Sequence, residues 1–239
     1  MHWLAGLILV ALALCGHARG TEQPDQAGVE ALLAEILLER EGRVLARGSG
    51  VVVAARDEGG ERACYLVTAG HVIPPASAGA DLLVGVVAGG EVRQRVPGQL
   101  LRRVDSEDRD LAVVRAAGLA CRPARLGSVI EPGADVWLAG FPGRGVARVW
   151  SGHLREPWQP AAPGWIVDGG ITEGASGGGV FDARSGELVG LIQGYWTVRL
   201  VGPAGRASSE VPAGATAVIP LARVRLLLRE WGLESLLGD

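Results

Sequence analysis

The eight-residue stretch GASGGGVF at positions 174–181 sets a single serine, Ser176, among four glycines. Glycine adopts backbone turns that other residues disfavour, so consecutive N–H groups beside the serine can converge on one point. Converging N–H groups stabilise the negative oxygen that develops when a nucleophile attacks a carbonyl group. The stretch therefore predicts a serine nucleophile next to its own oxyanion-binding backbone.

Two segments upstream supply the groups that a serine nucleophile needs. TAGHV at 68–72 contains His71, and DLAVV at 110–114 begins with Asp110, directly before an apolar strand. A serine hydroxyl becomes a good nucleophile when an imidazole accepts its proton, and a carboxylate then holds the imidazole in the correct tautomer. We expect His71 to be the base and Asp110 the orienting acid, with Asp108 as the alternative acid.

The order of these residues along the chain decides between two folds. The GASGG pattern also fits the nucleophile elbow of α/β-hydrolases, in which the acid and the histidine follow the serine. All histidines of this chain precede Ser176, namely His2, His17, His71 and His153. The order excludes the α/β-hydrolase fold, and we expect His153 to be a surface residue of a strand.

The three segments resemble those of the trypsin-like (chymotrypsin-fold) serine proteases, most closely the bacterial branch that includes the HtrA-type proteases. The likeness continues in RGSGVVV at 47–53, AGFPG at 139–143, GELVGLI at 186–192 and AVIP at 217–220, and covers the chain from about Ile36 to its end. The resemblance implies an all-β fold of two antiparallel six-stranded β-barrels with a C-terminal α-helix. It implies protein or peptide substrates and neither a cofactor nor a metal. We expect no PDZ domain of the kind that HtrA-type relatives carry.

The resemblance also implies a function and the roles of individual residues. The expected function is a secreted serine endopeptidase that works through an acyl-enzyme, with the backbone N–H groups of Gly174 and Ser176 as the oxyanion hole. Ala175 replaces an aspartate that binds the new N-terminus in animal trypsin-like enzymes, so we expect no activation through that salt bridge. The alternatives are a catalytically silent pseudoprotease that serves as a binding or scaffolding module, and an esterase-like activity of the same triad.

Side-chain preference is predicted from residues on either side of the serine. Gly170 occupies the position, six residues before the serine, where trypsin places the acid that binds Arg or Lys. This argues against trypsin-like cleavage unless Asp168 takes the acid's place. Gln193, Gly194 and Tyr195 should form the edge to which the substrate backbone adds as a strand. We expect Tyr195 to narrow the pocket, which favours small or medium apolar side chains.

The N-terminal residues have the pattern of a secretory leader. Residues 3–15 form an apolar run of 13, too short to span a bilayer at roughly 20 residues per crossing, and small residues follow. We predict a secretory signal peptide at 1–20, export to the periplasm or the extracellular space, and no stable membrane span. We expect the rest to divide into an N-terminal barrel at 26–122, with the histidine and the aspartate, and a C-terminal barrel at 123–239, with the serine.

Two cysteines, Cys64 and Cys121, follow the leader. In trypsin-like enzymes the strands of His71 and Asp110 are antiparallel neighbours, so both cysteines fall toward the same end of the first barrel. A disulfide is therefore possible in an oxidising compartment. The alternative is two buried free thiols, which behave as small apolar side chains.

Composition limits the other possibilities. The formal charge of −3 gives no electrostatic basis for binding nucleic acid or an anionic membrane. The chain has no lysine, which excludes a Ser–Lys dyad and a P-loop, and no asparagine, which excludes a Cys–His–Asn site. We predict short strands, including a hairpin around Gly89-Gly90, a short helix from Val29 that passes into a strand near Ile36, a surface loop at 202–214 and a terminal helix at 221–237.

Overall fold

Short runs of β-branched and aliphatic residues, broken by glycine-containing turns, fold into antiparallel strands. The computed structural model describes residues 25–75, 79–106, 109–143, 145–155, 165–201 and 207–238, without the side chains of 196–201 and 207–213. The strands are β1 (Leu33–Arg40), β2 (Arg43–Glu58), β3 (Glu61–Thr68), β4 (Asp81–Ala88), β5 (Glu91–Val92), β6 (Val96–Ser106), β7 (Arg109–Ala117), β8 (Asp135–Gly140), β9 (Arg148–Arg155), β10 (Trp165–Asp168), β11 (Gly179–Asp182), β12 (Leu188–Val201) and β13 (Ala207–Pro220). The helices are α1 (Gln26–Glu30) and α2 (Leu221–Glu230).

Strands of the N-terminal half close into a ring in the order β1-β2-β3-β7-β6-β4, because β4 pairs with both β6 and β1. The short β5 pairs with β4 outside this ring. Successive side chains of a strand point to opposite faces, so alternate residues fill the ring. These residues are Ala34, Ile36 and Leu38 of β1, Cys64 and Leu66 of β3, Val84 and Val86 of β4, and Ala112, Val114 and Ala116 of β7.

Strands of the C-terminal half form a closed barrel in the order β10-β13-β12-β11-β8-β9. Its interior is lined by Val136, Leu138, Leu154, Val167, Val180, Ile192 and Val218. The first ring ends at Ala117 and the second begins at Asp135, so the predicted boundary between 122 and 123 falls in the connection. The predicted all-β fold of two six-stranded antiparallel barrels with a C-terminal helix is confirmed.

A third apolar cluster joins the two barrels. It takes the outer face of first-barrel strands and residues of the second barrel and α2: Val51, Val53, Val67, Phe141, Phe181, Leu191, Leu221, Val224 and Leu227. Burying one such side chain stabilises the fold by about 1.5–3 kcal/mol. The cluster therefore holds the barrels against each other.

The terminal helix is shorter than predicted. It begins after Pro220 and ends at Glu230, and the chain then turns at Gly232, whose φ is +67°. Residues Glu234–Leu237 form a 3₁₀ turn, not the last part of an α-helix. Within the described residues, no helix is long and apolar enough to cross a membrane. The predicted signal peptide at 1–20 lies outside them.

Two other elements differ from the prediction made from the local sequence. The predicted helix from Val29 ends at Glu30, and β1 begins at Leu33, before Ile36. The helix starts earlier than predicted because the Asp25 side chain accepts a hydrogen bond of 2.6 Å from the Gly28 N–H group.

The loop predicted at 202–214 is wrong from Ala207 onward, where β13 begins and pairs with β12, while 202–206 lie outside the described residues. Its Gly, Ala, Ser and Pro content disfavours a strand, but pairing with a neighbour overrides that weak preference. The hairpin at Gly89-Gly90 is present, and both glycines have positive φ.

Cys64 and Cys121 form a disulfide that links residues 57 positions apart. Cys64 lies in β3 and Cys121 in the connection after β7, so the bond ties the start of this connection to the first barrel. Of the two alternatives for these cysteines, the structure has the disulfide and not the two free thiols.

Candidate active site

His71 lies in a 3₁₀ turn, Gly70–Val72, that follows β3. The turn packs tightly against β6, because a Cβ on Gly70 would collide with the carbonyl oxygen of Val104. The guanidinium of Arg103 donates from Nε to the Gly70 carbonyl oxygen over 2.9 Å. Glycine at position 70 and the Arg103 side chain therefore fix the point from which His71 projects.

Asp110 begins the apolar part of β7 and is only 4% exposed. Its Oδ1 accepts a hydrogen bond of 2.9 Å from the backbone N–H of His71, and its Oδ2 lies 2.8 Å from His71 Nδ1. A carboxylate beside Nδ1 favours the tautomer with the proton on Nδ1, which leaves a lone pair on Nε2. The arrangement prepares Nε2 to accept a proton. Asp108, the alternative acid, lies outside the described residues.

The surroundings of His71 change its basicity. The hydrogen bond to Asp110 raises the pKa of the His71 imidazole above its ordinary value, burial opposes this, and the negative charge of Asp105 adds to the increase. Arg103 lowers the pKa slightly, and its charge is partly compensated because it donates to Asp105 over 2.6 Å. The net effect is a base that binds a proton more readily than a free imidazole.

Ser176 lies in the loop between β10 and β11 of the second barrel, yet it is packed against the first barrel. Its carbonyl oxygen accepts a hydrogen bond of 2.8 Å from the backbone N–H of Ser49 in β2. A Cβ on Gly48 would collide with Val72 and lie 3.2 Å from the Ser176 carbonyl oxygen. The place that a side chain of Gly48 would take is therefore occupied by both the residue after His71 and the backbone of Ser176.

A second close approach joins the same two segments. A Cβ on Gly177 would collide with Thr68 Oγ1 and lie 2.9 Å from the backbone nitrogen of Ala69. The residue after the serine therefore packs on the segment that leads into His71. The Ser176 hydroxyl makes no hydrogen bond to the described part of the chain. Hydrogen bonds between a nucleophile and its base are often long without substrate.

The backbone before Ser176 is the stretch predicted to form the oxyanion hole. Gly174 has φ +88°, and a Cβ there would collide with the carbonyl oxygen of Phe141. The N–H groups of Ala175 and Gly177 donate to Thr172 (3.2 Å) and Ile192 (2.7 Å). Those of Gly174 and Ser176 donate to no acceptor among the described residues. Two N–H groups close together are thus available to an incoming oxygen.

The predicted substrate edge lies along β12. Pairing of β12 with β11 ends at Leu191, and Ile192 adds two hydrogen bonds: its N–H donates to the Gly178 carbonyl (2.8 Å), and its carbonyl accepts from the Gly177 N–H (2.7 Å). Beyond that point Gly194 and Tyr195 pair with β13 on one side, and no described strand pairs with them on the other. Gln193 lies in the bulge between these pairings. Tyr195 is half-buried and packs on the core of the second barrel.

Gly170 and Asp168 lie in different settings. A Cβ on Gly170 would meet no atom within 4 Å, so the space beside it is open. Asp168 ends β10, and its Oδ2 accepts a hydrogen bond of 2.9 Å from Arg155 Nε. Burial raises the pKa of Asp168, but the hydrogen bonds from Arg155 and His153 outweigh it and the pKa is lowered. Asp168 already has a cationic partner, which argues against it as the acid for a substrate Arg or Lys.

His153 lies on the outside of β9, as predicted, with 60% of its side chain exposed. Its imidazole lies between Asp135 and Asp168, with nitrogen–oxygen distances of 3.1 Å to each. No set of three or more His, Cys, Asp or Glu side chains in the described ranges is arranged to hold a metal ion.

Sequence reasoning assigned no role to two residues of this site. Ser49 is part of the RGSGVVV motif, and the serine between two glycines at the start of an apolar strand was the sequence signal that could have indicated its role. Arg103 lies in a polar stretch of β6 that resembles any exposed strand, so only the structure shows its bond to Gly70. Both residues act on the backbone that carries the candidate catalytic groups.

Two antiparallel β-barrels, with a His–Asp pair on one and a glycine-flanked serine on the other, are the architecture of the chymotrypsin-like serine proteases. The sequence matches the trypsin-like peptidase domain over residues 48–191, more than half of the chain. The chain therefore belongs to the trypsin-like peptidase family. No curated protein sequence matches it significantly.

Several solved structures share the fold. The Rv3671c protease of Mycobacterium tuberculosis, in an inactive form, is 20% identical, with a TM-score of 0.59 over 86% of this chain and 91% of its own. A serine endoprotease from Yersinia pestis is 21% identical, with a TM-score of 0.60 over 88% of this chain and 64% of its own. The HtrA-type protease AlgW, with a tripeptide, is 22% identical, with a TM-score of 0.60 over 87% and 62%. The predicted likeness to trypsin-like serine proteases, HtrA-type proteases included, is confirmed.

Proposed function

We propose that this protein is an exported serine endopeptidase in which Ser176, His71 and Asp110 form a catalytic triad. The observation that carries the proposal is the double contact between His71 and Asp110, beside a loop that holds Ser176 and two unused backbone N–H groups. Family membership gives the reaction class, and the arrangement gives each group a role.

In the first half of the reaction, His71 Nε2 accepts the proton of the Ser176 hydroxyl as its oxygen attacks the peptide carbonyl. The carbonyl oxygen becomes negative and is bound by the N–H groups of Gly174 and Ser176. The imidazolium formed is stabilised by Asp110, which accepts from Nδ1. His71 then gives its proton to the leaving amine, and the acyl group stays on Ser176.

In the second half, His71 accepts a proton from a water molecule, which attacks the acyl-enzyme. The oxyanion forms again in the same place, and the proton on His71 returns to Ser176 as the carboxylic acid leaves. The substrate backbone adds along the free edge at Gly194 and Tyr195, which brings the scissile bond to the serine. The open space at Gly170 and the engaged Asp168 support a preference for uncharged side chains.

The place of action is part of the same proposal. The apolar leader at 1–20 supports export, and a disulfide between Cys64 and Cys121 suits an oxidising periplasm or extracellular space. A reducing cytosol disfavours such bonds.

The test is reaction of the purified protein with a fluorophosphonate probe, read by intact mass, beside a Ser176→Ala control. We expect one adduct per chain in the wild type and none in the variant. A peptide library then reports the cleaved bond, and cleavage mainly after Arg or Lys would overturn the expected preference. Folded wild-type protein that forms no adduct would favour the pseudoprotease. An adduct with ester turnover but no peptide cleavage would favour the esterase.

A further inference from the structure

Ser49 of β2 is fully buried, and its hydroxyl bonds to backbone groups of the second barrel. Its Oγ donates to the carbonyl oxygen of Gly174 over 2.7 Å and accepts from the backbone N–H of Phe141 over 2.8 Å. Its own backbone N–H donates to the carbonyl oxygen of Ser176 over 2.8 Å. Ser49 of the first barrel therefore holds two carbonyl groups of this loop. The Gly174 carbonyl lies between the two proposed oxyanion-binding N–H groups along the chain, and the Ser176 carbonyl follows the second.

These bonds restrict the loop at both ends. The peptide plane after Gly174 is held by its carbonyl bond to Ser49 and by the Ala175 N–H bond to Thr172. The plane after Ser176 is held by the backbone N–H of Ser49. The Gly174 N–H belongs to the peptide plane just before the first of these two planes, and the Ser176 N–H belongs to the plane between them. The plane with the Ser176 N–H is also held by the bond from the Gly178 N–H to the Ala175 carbonyl oxygen (2.9 Å). The plane with the Gly174 N–H has no such bond in the described part of the chain, so its direction depends on the neighbouring plane that the Ser49 hydroxyl holds.

A hydroxyl is needed for this contact because it donates one hydrogen bond and accepts others with the same oxygen. Removing it leaves the Gly174 carbonyl and the Phe141 N–H without partners in a buried place, which is unfavourable. The loop would then relax toward other acceptors and donors. Gly174, with its positive φ and freedom from a Cβ, is the residue whose peptide plane turns most readily.

We infer that Ser49 is a positioning residue for the reaction proposed above: its hydroxyl sets the direction of the Gly174 N–H, one of the two proposed oxyanion-binding groups, without touching the substrate. The inference rests on the proposed function for its kinetic consequence. Its structural consequence, a defined Gly174–Ser176 backbone, is independent of turnover.

The kinetic test compares the wild type with Ser49→Ala, using p-nitrophenyl acetate turnover and the rate of fluorophosphonate labelling. Loss of alignment acts on the transition state, so we expect kcat and the labelling rate to fall about 10- to 100-fold, with KM changed less than about threefold. Tyr65→Phe is the control: it removes the bond from Tyr65 of β3 to Glu58 at the end of β2, which involves none of the loop residues, and should keep the wild-type kcat.

A second pair of variants guards against poor packing or folding of the alanine variant. Threonine and valine have nearly the same shape, and only threonine has a hydroxyl. We expect Ser49→Thr to react at least about tenfold faster than Ser49→Val, even if the added methyl group slows both. Equal rates for this pair would overturn the inference.

The structural test is the ¹H–¹⁵N spectrum of the same proteins. We expect the amide signals of Gly174 and Ser176 to shift or broaden in Ser49→Ala, to return in Ser49→Thr, and the signal of Val180 in β11 to stay in place. Wild-type rates and wild-type Gly174 and Ser176 signals in Ser49→Ala would overturn the inference. A folded wild type without labelling or turnover would overturn the proposed function instead, and these signals would still decide whether Ser49 sets the loop.

Discussion

Replacing Asp110 with asparagine tests the proposed triad at its most defined contact. The carboxylate accepts two hydrogen bonds from His71, one from the backbone N–H at 2.9 Å and one at Nδ1 at 2.8 Å. An asparagine side chain has one acceptor oxygen and one donor NH₂ group. If the oxygen keeps the backbone N–H, the NH₂ group faces Nδ1. The imidazole must then carry its proton on Nε2, where it cannot accept the proton of Ser176.

The expected cost follows from this change of tautomer. With the wrong tautomer, kcat should fall by about 10⁴-fold, which is the size known for an aspartate-to-asparagine change in a Ser–His–Asp triad. Loss of a charge-assisted hydrogen bond from a buried group should lower the free energy of unfolding by about 1.5–3 kcal/mol. Asp110 also raises the pKa of His71, so the pKa of the imidazole should fall in the variant.

The assay is kcat on a cleavable peptide found in the library screen, with the free energy of unfolding from urea titration. Asp105→Asn is the matched control, because Asp105 acts on the His71 pKa through its charge but makes no bond to the imidazole. It should keep kcat within about threefold. The reasoning is refuted if Asp110→Asn keeps more than a tenth of the wild-type kcat. A large loss in Asp108→Asn alone would make Asp108 the orienting acid.

Three further predictions follow from the same contacts. Gly70→Ala should abolish labelling by the fluorophosphonate probe in a protein that still folds, because the new Cβ collides with the Val104 carbonyl and displaces the His71 turn; undiminished labelling would contradict this. Reducing the Cys64–Cys121 disulfide, which links positions 57 apart, should lower the free energy of unfolding by about 4 kcal/mol, and a urea titration with and without reductant measures it. The raised pKa of His71 means that the folded state holds its proton more tightly than the unfolded state. The stability from this group should therefore be complete below pH about 6.5 and be lost as pH rises through the higher folded pKa, and a His71→Ala variant should lack this loss.

Much of the fold could be predicted because its signals are local. The segments around His71, Asp110 and Ser176 resemble those of trypsin-like serine proteases, and this resemblance was enough to predict the barrels, because such motifs can be recognised without knowledge of contacts. Elements decided by distant partners were misplaced. β13 begins at Ala207 because β12 pairs with it, although its own composition indicates a loop. The end of the terminal helix is a different case: the helix stops at Glu230 because a local glycine, Gly232, turns the chain, and the sequence prediction did not use this signal.

The candidate site divides in the same way. The residue types of the proposed triad and the glycines around Ser176 are visible in the sequence because the proposed chemistry requires them at those places. The cysteine pairing stayed open, since it depends on how two strand ends meet. Arg103 could not be predicted, because its function is a bond to the Gly70 carbonyl, and a backbone acceptor has no sequence signature.

Three successive residues of β2 show how closely the candidate site depends on the junction of the barrels. Gly48 has no side chain because Val72 and the Ser176 backbone occupy that place, and a Cβ on Gly50 would lie 3.0 Å from Ile36 Cδ1 and 3.2 Å from the Val67 carbonyl oxygen. A side chain at position 48 or 50 would push β2 away from the segment that the glycine contacts. At Gly50 the neighbour is the first barrel's own interior, so a substitution there should act on stability. At Gly48 it is the segment after His71 and the nucleophile loop, so a substitution there should act on activity before stability. The side chain of Ser49, between them, faces the second barrel, and its hydroxyl bonds to that barrel's backbone at Gly174 and Phe141.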